Sequence, residues 1–157
     1  FAVLVAISAF QTVTLQESAM EPTYSVGQKF FVNRALYKIK SPKRGDVIVF
    51  KTSASDDAAL HIRRVIGLPG ETVQIKEGQI YINGNVYEEN GAYQEIADGG
   101  LADSAITLES GEYFVLGDNR NNSEDSRFSD IGNISKKYIV GKIWFTVSPK
   151  SKIGFIR

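Results

Sequence analysis

The 157-residue sequence contains no cysteine and a single histidine. The lack of cysteine excludes disulfide bonds, thiolate zinc sites and a cysteine nucleophile, and one histidine excludes a metal site built from histidines alone. We therefore expect no metal and no cofactor. An excess of one charge is also absent, because 18 lysines and arginines balance 18 acidic residues. Nucleic-acid-binding domains usually carry a basic excess, so we expect no nucleic-acid partner.

Long apolar segments are nearly absent as well. Residues 1–10 read FAVLVAISAF, which is shorter than the roughly 20 residues that a helix needs to cross a bilayer. One interpretation is a buried core segment. We favour the other, in which residues 1–10 are the end of an N-terminal transmembrane anchor helix that precedes a single domain at residues 11–157.

Alternating polar and apolar residues, typical of half-buried β-strands, are the main pattern of the remaining sequence. The first alternation covers residues 11–16, and the dipeptides Glu77-Gly78 and Asn83-Gly84 predict tight hairpin turns. Helix signal is limited to residues 34–39 and 135–138. Further strands are predicted at 29–33, 46–51, 61–66, 72–75, 79–82, 85–87, 112–116 and 139–147.

These patterns predict a mostly β fold of antiparallel strands, with long loops and few short helices. Residues 72–110 are expected to form a smaller hairpin or cap subregion. Residues 90–105 are polar, contain glycine and lack any period, which favours a mobile excursion.

Four separated motifs follow one another in an informative order. They are AMEPT at 19–23, RGDV at 44–47, RVIGLPG at 64–70 and GDNRNNSEDSR at 117–127. Together with the preceding apolar run, they resemble the type I signal peptidases, and the short insert between motifs is similar to the Gram-positive type. The resemblance implies an extracellular β domain on a single-pass anchor in the cell membrane. It also implies a serine endopeptidase that uses a serine-lysine dyad on signal peptides with Ala-x-Ala sites.

The two dyad positions of that family are substituted in this sequence. The nucleophile position, directly before the Met-x-Pro-Thr motif, is Ala19, which has no hydroxyl. The general-base position, directly before the Arg-Val-Ile-Gly motif, is Arg63. The guanidinium of arginine stays protonated in proteins, so it cannot accept a proton near neutral pH. Serine-to-alanine is also a standard inactivating substitution in the laboratory, but Arg63 does not fit that explanation.

A third departure lies in the oxyanion region, formed by positions 17 and 19. The family uses glycine or serine two positions before the nucleophile, and here Glu17 stands there. A carboxylate beside a developing oxyanion would raise the barrier. Because a buried arginine needs a partner, we predict that Glu17, or as second choice Glu21, pairs with Arg63. By resemblance, Ser123 supplies a supporting hydrogen bond.

Further site residues follow from the resemblance alone. It implies structural ion pairs between Arg64 and Asp118 and between Asp125 and Arg127. The substrate groove would be lined by Val13, Leu15, Met20, Tyr24, His61 and Ile62, although Met20 and Ile62 fit an ordinary core position equally well. A Ser18–His61 dyad is disfavoured, because neighbouring strand residues point to opposite faces and Ser18 would then face away from the site of Ala19.

Three functions fit the sequence. We favour a non-cleaving protein that binds signal peptides or pilin preproteins, similar to the signal-peptidase-like proteins of Gram-positive bacteria that assist pilus assembly. The alternative is an active type I signal peptidase, represented here by a disarmed variant. A structural module without ligand is the third reading, and it predicts a filled or polar-blocked groove.

Overall fold

β-Strands dominate the computed structural model, which describes residues 10–156. The prediction of a mostly β fold is confirmed. The strands are β1 (Phe10–Thr14), β2 (Lys29–Asn33), β3 (Val47–Phe50), β4 (His61–Gly67), β5 (Thr72–Lys76), β6 (Gln79–Ile82), β7 (Asn85–Val86), β8 (Ile106–Thr107), β9 (Glu112–Leu116), β10 (Ile134–Ser135), β11 (Ile139–Ser148) and β12 (Gly154–Phe155). One short α-helix, α1 (Leu36–Ile39), and 3-10 turns at Ser18–Met20, Gly100–Asp103, Lys136–Tyr138 and Lys150–Lys152 complete the described elements.

The strands form two antiparallel sheets. The larger has the order β1-β2-β11-β3-β4-β9-β10, with β12 paired to β11, and the smaller has the order β7-β6-β5-β8. Both predicted hairpin turns are confirmed in the smaller sheet. Glu77 and Gly78 have φ angles of 52° and 75°, and Asn83 and Gly84 have 51° and 82°. Paired positive φ angles match the twist of the flanking strands, and glycine and asparagine adopt them at low cost.

Apolar residues of the larger sheet pack against the segment that follows β1. Leu15, Met20 and Ile62 are 1%, 0% and 3% exposed and belong to one buried cluster with Val13 and Phe30. This cluster anchors the 3-10 turn at Ser18–Met20 against β4.

Two local expectations were wrong. β1 ends at Thr14, and Ser18–Met20 forms a 3-10 turn instead of continuing a strand. Residues 90–105 are not a free excursion, because Ile96 and Ala102 are 5% and 0% exposed in the core of the smaller sheet. Isolated apolar residues in a polar segment carry no period, so the sequence pattern did not reveal this packing.

The predicted anchor segment, residues 1–9, lies outside the described residues. Within residues 10–156, no helix combines the length and the apolar character that crossing a membrane requires.

Candidate functional site

The loop after β9 fixes the position of Ala19. The Asn119 backbone N–H donates to the Ala19 carbonyl at 2.9 Å, and the Asn119 side chain donates to the Ser18 carbonyl at 3.1 Å. Gly117 packs so closely that a Cβ there would lie 2.5 Å from the Ala19 carbonyl oxygen. Only glycine permits this approach, and the loop therefore holds the Ser18–Met20 turn in close contact.

Arg63 faces this turn from β4 and is 1% exposed. Its Nε donates to the Glu124 carbonyl at 2.7 Å, and its Nη1 donates to Glu17 Oε2 at 2.6 Å and to the Ile62 carbonyl at 2.7 Å. The contact predicted between Glu17 and Arg63 is therefore present, with Glu17 and not Glu21 as the partner. A buried guanidinium requires such a partner, because removing it from water is costly.

Glu17 joins two positive or ionisable groups. Its Oε1 lies 3.2 Å from His61 Nδ1, while its Oε2 accepts from Arg63. Burial by itself raises the pKa of the Glu17 carboxyl, but the hydrogen bonds with His61 and Arg63 outweigh that effect and lower the pKa from 4.5 to about 2. Glu17 is therefore ionised at neutral pH, and its charge compensates that of Arg63.

The low pKa of Glu17 predicts an acid dependence of stability. A carboxyl whose pKa falls on folding stabilises the protein above its unfolded-state pKa, and the contribution is lost as the pH falls towards the folded-state pKa. The relevant window therefore lies between pH 4.5 and about 2. We expect Glu17→Gln to lower the free energy of unfolding by about 1–2 kcal/mol at pH 6. This value is smaller than the pKa shift alone implies, because solvent screens the partly exposed Glu17 carboxylate. At pH 2.5 the difference should shrink to less than half.

Urea unfolding of the wild type and of Glu17→Gln at both pH values tests this expectation. Glu109→Gln serves as the control, because Glu109 is exposed and should show the same small effect at both pH values. An equal Glu17→Gln effect at pH 6 and pH 2.5 would contradict the assignment.

The expected role of Ser123 needs correction. Its hydroxyl donates to Asp125 Oδ2 at 2.8 Å, and the acceptor for Arg63 Nε is instead the carbonyl of the next residue, Glu124. Sequence reasoning missed this contact, because backbone carbonyls carry no residue-type signal. It also missed the contacts of Asn119, although Asn119 lies within the GDNR motif.

The ion pairs expected around the loop are formed. Arg64 holds Asp118 with two hydrogen bonds of 2.8 and 2.7 Å. Arg127 and Asp125 are 2% and 0% exposed and are joined by bonds of 2.8 and 2.9 Å. These paired groups keep the loop close to the Ser18–Met20 turn.

An open pocket of about 450 Å³ lies between the turn, β4 and the loop. Ser18 lines it together with Ala19 and Arg63. Ser18 lies in a 3-10 turn, where strand alternation does not apply, so alternation gives no reason for Ser18 to face away from the site of Ala19. The hydrogen-bond partner of His61 Nδ1 is Glu17. Among residues 10–156, no group of three or more histidine or acidic residues is arranged to hold a metal ion.

Most of the predicted groove residues lie in the core. Val13, Leu15, Met20 and Ile62 belong to one buried cluster, and Tyr24 packs against it. Their role in binding a peptide stays a prediction, and His61 is the member that contacts the polar site through Glu17.

The first half of β4 has an unpaired edge among the described residues. β4 pairs with β3 from His61 to Arg64, but its pairing with β9 begins only at Arg64. The backbone of Val65 bonds on the β3 side, to Gly45 and Asp46. Alternate residues of a strand direct their backbone groups to the same side. The backbone groups of Arg63 therefore face β3, as those of Val65 do, and the backbone groups of Ile62 point to the opposite, open side. An extended chain can pair there.

Comparison with protein families gives one match that covers nearly the whole chain. Residues 1–148 match the family described as "Signal peptidase, peptidase S26". The match includes the Ser18–Met20 turn, Arg63 and the loop that follows β9.

Individual relatives agree with this match. The chain is 31% identical over 146 residues to "Probable signal peptidase I-2" of Synechocystis sp., covering 90% of this chain and 65% of that protein. It is 34% identical over 155 residues to "Signal peptidase I T" of Bacillus subtilis, covering 94% of this chain and 79% of that protein. A crystal structure of a signal peptidase I from Enterococcus faecalis is 33% identical with a TM-score of 0.50, covering 66% of this chain and 97% of that chain.

Proposed function

The chain belongs to the S26 signal peptidase family, and from this premise we propose that it is a non-cleaving member that binds extended peptides. The observation that carries the proposal is the pair of residues found at the two dyad positions. Ala19 offers no nucleophile, and the Arg63 guanidinium is ion-paired with Glu17 at 2.6 Å. An arginine held by a carboxylate does not release its proton near neutral pH, so neither position of a serine-lysine dyad can act.

Peptide binding does not require the dyad. Among the described residues, the unpaired edge of β4 offers an incoming strand the Ile62 N–H and the second lone pair of the Ile62 carbonyl, which already accepts from Arg63 Nη1. In the same residues, β1 is the terminal strand of that sheet. A peptide that adds as a strand is held by main-chain hydrogen bonds and selected by its side chains. This mode of binding is compatible with both substitutions.

Signal peptides of preproteins are the ligand class that family membership supports. Pilin preproteins are a narrower candidate, which rests on the resemblance to the signal-peptidase-like proteins that assist pilus assembly. The same resemblance supports an extracellular domain on an N-terminal membrane anchor. In this proposal, the protein binds an exposed signal peptide or pilin segment at the outer face of the cell membrane and does not cleave it.

The alternative function is cleavage of the same peptides. Two observations favour it: the relatives are named as ordinary signal peptidases, and the hydroxyl-bearing Ser18 lines the same pocket as Ala19 and Arg63. A cleavage assay separates the two functions.

The test combines binding and cleavage on one fluorescent peptide with an Ala-x-Ala site. We expect saturable binding by fluorescence anisotropy and no cut product after overnight incubation by mass spectrometry. N-methylation removes single backbone donors from the peptide. We expect it to abolish binding at one residue only, the one whose N–H faces the Ile62 carbonyl, because Ile62 is the residue in the unpaired half of β4 whose backbone groups point to the open side. Cleavage would establish the alternative, and binding that no single N-methyl group abolishes would contradict strand addition.

A further inference from the structure

One terminal nitrogen of Arg63 has no acceptor within the described residues. The Nε and Nη1 atoms are occupied by the Glu124 and Ile62 carbonyls and by Glu17, whereas Nη2 makes no hydrogen bond to residues 10–156. Within the same residues, the only fully buried side-chain nitrogen or oxygen without a partner is Trp144 Nε1. Nη2 is therefore not fully buried, and Arg63 lines the 450 Å³ pocket.

The surrounding charges determine which acceptor fits this donor. Glu17 already compensates the charge of Arg63, and Glu124 also lines the pocket. A ligand carboxylate would meet two like charges and no uncompensated cation. A neutral carbonyl oxygen avoids that repulsion and still accepts a charge-assisted hydrogen bond.

The guanidinium also lies at the place where a peptide backbone would pass. Arg63 Nη1 donates to the Ile62 carbonyl, and the backbone groups of Ile62 point to the open side of β4. The fork of an arginine is planar, so the bonds at Nε and Nη1 fix the directions of the Nη2 donors. Nη1 and Nη2 are bonded to one carbon, so Nη2 lies within a few ångströms of the Ile62 carbonyl that Nη1 holds.

We propose that Arg63 is a peptide-binding residue whose Nη2 donates to one backbone carbonyl of an extended peptide on the β4 edge. The inference deepens the proposed function and rests on it. At the position where the family uses a general base to remove a proton, Arg63 would here bind a carbonyl of the uncleaved peptide. Because the guanidinium is already held by three hydrogen bonds, little side-chain freedom is lost when the peptide binds.

A thioamide scan tests the proposal, because replacing a carbonyl oxygen by sulfur weakens it as an acceptor. Each carbonyl of the fluorescent peptide is replaced in turn, and binding is measured to the wild type, to Arg63→Lys and to Arg63→Met. Lysine keeps a charge that can pair with Glu17 but lacks the fork, and thermal unfolding checks that each variant is folded. We expect one position at which sulfur weakens wild-type binding about tenfold and has under a twofold effect on both variants.

The outcomes separate this inference from the function on which it depends. If the peptide binds but no thioamide position depends on Arg63, the role of Nη2 is wrong and the binding function stands. If the peptide does not bind the wild type at all, both are wrong. If Arg63→Lys shows the same sensitive position as the wild type, the donor is a general positive charge and the assignment to Nη2 is wrong.

Discussion

Restoring serine at position 19 and lysine at position 63 is expected to leave the protein inactive unless Glu17 is replaced as well. In the present structure, Arg63 Nη1 lies 2.6 Å from the Glu17 carboxylate, and a lysine at position 63 would meet the same charge. A nearby negative charge raises the pKa of lysine. Even at the ordinary value of about 10.4, only about one lysine in 2,500 is neutral at pH 7.

The physical reason is a conflict between two requirements of the site. A lysine that acts as a general base must lose its proton, which burial favours and ion pairing opposes. Glu17 suits the permanent charge of Arg63 and disables a lysine in the same place. The two residues should therefore be exchanged together.

A stepwise series measures this effect on a preprotein with an Ala-x-Ala site. We expect no cleavage by Ala19→Ser or by Ala19→Ser combined with Arg63→Lys. Adding Glu17→Ser should raise the cleavage rate by about 10²- to 10⁴-fold, the usual contribution of a general base. The variant Ala19→Ser with Glu17→Ser, which retains Arg63, serves as the control for the effect of Glu17→Ser without a lysine at position 63.

Either of two results would contradict this account. Cleavage by the variant that combines Ala19→Ser with Arg63→Lys would show that Glu17 does not keep the lysine protonated. Inactivity of the folded triple variant would show that differences beyond these three positions also silence the site.

Replacing Asp125 by alanine is expected to cause the largest loss of stability, about 3–5 kcal/mol. The Asp125 carboxylate is 0% exposed and accepts hydrogen bonds from Arg127, from the Ser123 hydroxyl at 2.8 Å and from the Gly117 N–H at 3.1 Å. Removing it leaves the guanidinium of Arg127, which is 2% exposed, without its counter-charge. A buried, uncompensated charge is far more costly than a lost surface ion pair.

Urea unfolding measures the change directly. Asp125→Asn keeps the shape of the side chain but removes its charge, so most of the loss should remain. Asp130→Ala is the matched control, because Asp130 is exposed in the same loop region and its loss should stay within about 0.5 kcal/mol. A loss below 1 kcal/mol for Asp125→Ala would mean that the loop does not depend on this pair.

The sequence by itself determined the fold class and which residues stand at the two dyad positions. Strands β2, β4, β6 and β9 lie within a residue of their predicted bounds, because alternating side chains and glycine-containing turns are local signals. The substitutions at positions 19 and 63 are equally local, since each is a residue type within a recognisable motif. The need of a buried arginine for a counter-charge even indicated Glu17 as its partner.

Only the tertiary structure decided how these residues are arranged around the pocket. Ser18 lines it because residues 18–20 form a 3-10 turn, and the contacts that hold that turn come from Asn119, about 100 residues later in the chain. The Glu124 carbonyl binds Arg63, and the unpaired half of β4 depends on where β9 begins to pair. Such contacts involve backbone groups and long separations, and backbone groups are the same for nearly every residue type. No pattern of side chains in the sequence can specify them.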